Sequence, residues 1–88
     1  MSLERGIGSV IDQGCGDVLF PMSDGASRIF CKVTADALHH LTRGRYRTVP
    51  DAFASVRLHI ETIASIKYDE GLLEEDGSVT VTRTDLSA

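Results

Sequence analysis

The side chains here with the most chemistry to offer are three histidines, two cysteines and a short run of arginines. His39 and His40 are adjacent, and neighbours on a helix point about 100° apart, so they cannot grip one metal together. Asp36 and His40, four apart, could meet a metal edge-on. A complete site would need two more donors, with His59 and Cys31 as the obvious choices. Cys31 lies in an apolar alternation and reads as a small core hydrophobe rather than a nucleophile. Cys15 lies among glycines, with Asp17 as its only charged neighbour, which opposes a thiolate. Gly6-Ile7-Gly8 lacks the third glycine of a dinucleotide loop, and no G-x-S-x-G, H-E-x-x-H or calcium-loop spacing is present. Asp69, Glu70, Glu74, Glu75 and Asp76 spread over a helix end and a turn, as a solvated surface does. No catalytic residue, metal ligand or cofactor site follows, and the expectation is a protein that is not an enzyme.

Two polar groups remain. Arg43, Arg45 and Arg47 surround Tyr46, and guanidiniums about an aromatic ring can hold a phosphate or stack on a base. Against nucleic acid stands the charge balance of nine Lys and Arg to thirteen Asp and Glu, net −4. Three cations give only weak, salt-sensitive binding. Arg57, Lys67, Tyr68 and Asp85 read as structural polar residues. Arg57 falls between core and solvent, with Glu61 or Asp85 as candidate partners.

The elements that must position these groups follow from periodicity. Eighty-eight residues make one small domain, stable by about 5–8 kcal/mol, and such chains often gain from self-association. Residues 1–16 hold four glycines and little apolar surface, so they read as a flexible or loosely docked arm with at most one short strand. Residues 17–86 then form a single α+β domain. Val18-Leu19-Phe20 opens a strand, Asp24-Gly25 turns, and Arg28 to Val33 returns with a period of two. Phe30 sits on the outward face between two cations. Thr34 caps a helix of about ten residues, with Arg43 in its last turn and Gly44 beyond. Thr48-Val49-Pro50-Asp51 fits a capping box for a second helix running to about Asp69. Its core stripe is Phe53, Val56, Ile60, Ile63 and Ala64. Leu72-Leu73 and Val79 to Thr82 read as a second hairpin about Asp76-Gly77, followed by a polar tail over 83–88. The expected architecture is a small antiparallel sheet of three or four strands, in the order ββ-αα-ββ, with two helices packed on it.

The back face of the long helix stands apart. Ala54, Ser55, Leu58, Thr62, Ser65 and Ile66 cluster there, and none is charged. That face reads as a possible interface, for a homodimer or for an unidentified protein partner. Two cysteines make no disulfide framework and read as free thiols. There is no membrane-length apolar run and no cationic leader, so the expectation is a cytoplasmic protein with no membrane partner.

The pattern Val18-x-Phe20, Gly25, Ile29-x-Cys31-x-Val33, Ala37-Leu38, Phe53-x-x-x-Arg57-x-x-Ile60-x-x-x-Ala64-x-x-Lys67-Tyr68, Gly77, Val79, Val81 and Asp85 resembles a bacterial family known as domain of unknown function 1488. The resemblance covers about residues 17–86. It implies a small α+β fold and no established activity.

Overall fold

A computed structural model of the protein describes residues 3–86; residues 1, 2, 87 and 88 of the expected arm and tail lie outside the described residues. In chain order the elements are β1 (Glu4–Arg5), β2 (Ile11–Asp12), β3 (Val18–Ser23), β4 (Arg28–Val33), α1 (Ala35–Thr42), α2 (Val49–Asp69), β5 (Val79–Val81) and α3 (Arg83–Leu86).

The β3–β4 hairpin is built as its sequence predicts. Asp24 accepts from the backbone N–H of Ala26 (2.9 Å) and Ser27 (2.7 Å), and Gly25 takes the left-handed φ of 96° that the turn needs. The register pairs Val18 with Val33 and Ser23 with Arg28. Alternation then sends Val18, Phe20 and Met22 of β3, with Cys31 and Val33 of β4, into the core. Thr34 and Thr48 cap α1 and α2 by accepting from Ala37 and Asp51. Phe53, Ile60 and Ala64 of α2 are buried against the sheet, with Val56 and Ile63 half-buried beside them.

β5 differs from expectation. It pairs with β4 in parallel, Cys31 opposite Val79 and Val33 opposite Val81, so the sheet is mixed rather than wholly antiparallel. The reason is the two intervening helices, which carry the chain across one face before it re-enters, the connection that parallel strands require. No second hairpin forms about Asp76-Gly77. Leu72 and Leu73 stay exposed, and the turn closes on itself through Glu74 N–H to Ser78 O (2.8 Å) and Gly77 N–H to Glu74 O (2.9 Å). The expected polar tail begins with α3. Its Asp85 accepts from the N–H (2.7 Å) and hydroxyl (3.1 Å) of Thr82.

The segment expected as a loosely docked arm supplies β1 and β2, both antiparallel on the free edge of β3. Glu4 opposes Ser23 and Arg5 opposes Met22; Ile11 opposes Leu19 and Asp12 opposes Val18. Residues 6–10 loop out opposite Phe20 and Pro21. Gly6 N–H donates to Pro21 O (3.1 Å), so the N–H that Pro21 lacks falls on this same edge and the ladder breaks there. A Cβ at Gly6 would lie 2.9 Å from Met22 O, so only glycine fits the crossing. Leu3 is 2% exposed and its N–H donates to the buried Ser65 hydroxyl (3.3 Å). No helix among the described residues is long and apolar enough to cross a membrane.

Candidate functional site

Where the N-terminal segment crosses α2, three charges meet. Glu61 is 5% exposed. Arg5 grips it as a fork, Nε donating to Oε2 and Nη2 to Oε1, both at 2.9 Å. Arg57, one turn before Glu61 on α2, donates Nε to Oε2 at 3.0 Å. Burial pushes the Glu61 carboxyl up, but the two guanidiniums outweigh it and hold the group below its ordinary range. The same contact raises Arg5. The Arg57 guanidinium carbon lies 5.4 Å from the centre of the Phe53 ring, and Phe53 in turn packs on Phe20 at 5.2 Å. The spacing of Arg57 and Glu61 was readable in the sequence. Arg5 was not, because it lies 56 positions from its partner.

Beside this cluster a groove of about 460 Å³ runs between residues 5–12 and the first half of α2. Val10, Val18 and Phe53 line it, with Arg57 and Leu58 among the bordering residues. The groove borders the uncharged helix face at Ala54, Ser55 and Leu58. Ala54, Ser55, Leu58 and Ile66 are exposed, Leu58 at 74%, and Thr62 is half-buried with its hydroxyl donating to Leu58 O at 2.9 Å. Ser65, expected at an interface, is instead fully buried beneath Leu3. The N-terminal segment covers the face at Ser65, while Ile66 beside it stays exposed.

The other expected polar residues hold the fold together. Lys67 Nζ donates to Thr80 O (2.7 Å) and to Asp85 Oδ2 (3.0 Å). Burial raises Asp85, but the Thr82 N–H and Lys67 together bring it below its usual range. Tyr68 donates its hydroxyl to Asp24 Oδ2 (3.0 Å), which pushes the phenol up. Asp24 itself is lowered, chiefly by the Ala26 and Ser27 N–H groups.

Arg43, Arg45, Tyr46 and Arg47 are all exposed. Arg43 closes α1 in the left-handed region, φ 57°, one residue later than the helix proper, while Gly44 N–H returns to His39 O (3.1 Å). None of the three arginines pairs with a carboxylate among the described residues. His39, His40 and His59 are exposed, and no three potential metal donors cluster among the described residues. Cys31 is 1% exposed, and burial, followed by the charge of Glu61, pushes its thiol up to about 12. Cys15 is exposed. Ellman titration of the native protein is therefore expected to find one reactive thiol, with the second appearing only in denaturant. Two reactive thiols in the native state would contradict this packing.

The sheet face opposite α2 carries the second candidate surface. Phe30 is 60% and Ile11 52% exposed; Leu19, the register partner of Ile11, lies between them. They border or adjoin a groove of about 840 Å³ whose lining includes Glu74, Glu75 and Asp76. The sequence marked Phe30, but not its neighbours from other strands.

These observations define a small two-layer α+β protein, a mixed sheet with helices over one face only. The family described as protein of unknown function, DUF1488, matches residues 9–81, and the chain belongs to it. Its fold is similar to that in the crystal structure of a DUF1488 protein of unknown function from Shewanella loihica PV-4. The two are 18% identical, with 91% of each chain covered and a TM-score of 0.76, a likeness of fold alone. No curated protein matches.

Proposed function

We propose that this chain is a non-enzymatic interaction protein that joins to a second copy of itself. In this reading the outer sheet face of one copy receives the Arg43–Arg47 loop of another. The observation that carries it is the apolar patch of exposed Phe30 and Ile11 with half-buried Leu19, beside three carboxylates and one cation, Lys32, so that the surface stays net acidic. Contiguous exposed apolar surface rimmed by charge marks interaction sites. The chain's own loop has the matching chemistry: three arginines without ion pairs among the described residues around an exposed tyrosine, the residue types that dominate binding hot spots. The two surfaces differ, so the contact is heterologous and either closes a ring or extends. The non-enzymatic reading is supported by how titratable groups are used. Glu61, Asp85, Asp24 and Tyr68 are engaged in structural contacts, and Cys31 lies far above the thiolate range. Two free cysteines suit a reducing compartment such as the cytoplasm.

Sedimentation velocity at about 100 µM and low salt tests this, since it registers dissociation constants weaker than micromolar. Wild type is expected to associate, whereas Phe30→Asp and the double change Arg45→Glu, Arg47→Glu are each expected to be monomeric. Mixing the two variants is expected to give a 1:1 dimer, because each keeps the surface the other lacks. A monomeric wild type, or a mixture that stays monomeric, ends the proposal. The unpaired arginines also favour a second reading, in which the loop binds nucleic acid. That reading requires binding that falls steeply with salt, is lost in the arginine variant and survives Phe30→Asp.

A further inference from the structure

We infer that the groove between residues 5–12 and α2 binds an organic monocarboxylate with an aliphatic tail. The anion's seat is Arg57. Its guanidinium is held on two sides, by Nε to Glu61 and by the Phe53 ring beneath it, and its side chain is only 23% exposed. Both terminal nitrogens lack an acceptor among the described residues. A guanidinium fixed in this way offers two parallel N–H bonds, the fork that fits a carboxylate, with little ordering left to do on binding. Two guanidiniums share one carboxylate here, so the ion cluster by itself is net positive, and Asp12 across the groove balances it.

The tail has its own surface. Val10 and Leu58 offer apolar surface to a space of about 460 Å³, with the buried Val18 and Phe53 behind them, within the range of small-molecule sites. Occupancy would cover Leu58, which otherwise stands 74% exposed. It also gives a use to the uncharged Ala54 and Ser55, where a long charged side chain would block the opening. Asp12, also in the lining, sets the charge limit. A dianion such as phosphate would meet both Asp12 and Glu61, whereas a monoanion with an apolar tail uses Arg57 and the hydrocarbon wall together.

The test is titration of the full-length ¹⁵N-labelled protein with octanoate, followed by NMR. Saturable shifts are expected at Val10, Phe53, Ala54 and the Arg57 Nε–H, with octanol and inorganic phosphate each binding about tenfold more weakly or less. Arg57→Gln is expected to weaken octanoate by about the same factor. Because that change also disturbs Glu61, Ala54→Phe serves as a second variant. It fills the groove from an exposed position, leaves the ion cluster intact and is expected to abolish the shifts. The inference is overturned if octanoate produces no localised shifts, if octanol or phosphate binds as well, or if Ala54→Phe binds like wild type.

Discussion

Phe53→Ala is expected to remove roughly half or more of the protein's stability. Phe53 is 2% exposed and stands at the centre of the core, with Phe20 on one side and the Arg57 guanidinium on another. Truncating a buried phenylalanine costs about 3–5 kcal/mol, the lost transfer energy plus the cavity left behind. Set against the 5–8 kcal/mol or so expected of a chain this short, that is roughly half of its stability or more. Phe53→Leu keeps much of the volume and is expected to cost about 1–1.5 kcal/mol. Denaturant unfolding followed by far-UV circular dichroism separates the two. An alanine variant with a midpoint close to that of the leucine variant would show that α2 is not anchored here.

Glu61→Gln should have the second largest effect, and one that depends on pH. The change is nearly isosteric, so what it removes is charge. Arg57, mostly buried, loses its counterion, while Arg5, at 54% side-chain exposure, can turn to water. A cost of about 2 kcal/mol is expected at neutral pH, which for a domain of this size lowers Tm by about 8–16 °C. The folded carboxyl sits below its ordinary value of 4.5, so ionised Glu61 stabilises the fold fully above that value. The contribution drains away as pH falls through the depressed folded value. Wild type and variant should therefore differ most above about pH 5 and converge in acid. Equal melting curves at pH 7, or a gap that widens in acid, would refute the role assigned to this cluster.

Much of the architecture could be read from residues close together in the chain. Asp24-Gly25 named its turn, Thr34 and Thr48 named their helix starts, and the spacing of Phe53, Ile60 and Ala64 named the buried stripe. Arg57 and Glu61, one helical turn apart, named half of the ion cluster. Each of these signals acts over about four residues, the reach of a turn, a cap or a helix repeat. What the folded chain alone decided lies between distant residues. β1 and β2 dock through backbone hydrogen bonds, which any sequence can make, so their glycine-rich stretch carries no side-chain period to betray them. Hence Arg5 as the second partner of Glu61, Ser65 as a buried acceptor and the groove beside α2 could not be foreseen. The parallel entry of β5 depended on the path of two helices, not on the Val-Thr-Val pattern that marked it as a strand. Local chemistry chose the elements; their mutual placement is a long-range balance of burial and pairing, and the candidate binding surfaces exist only where those placements meet.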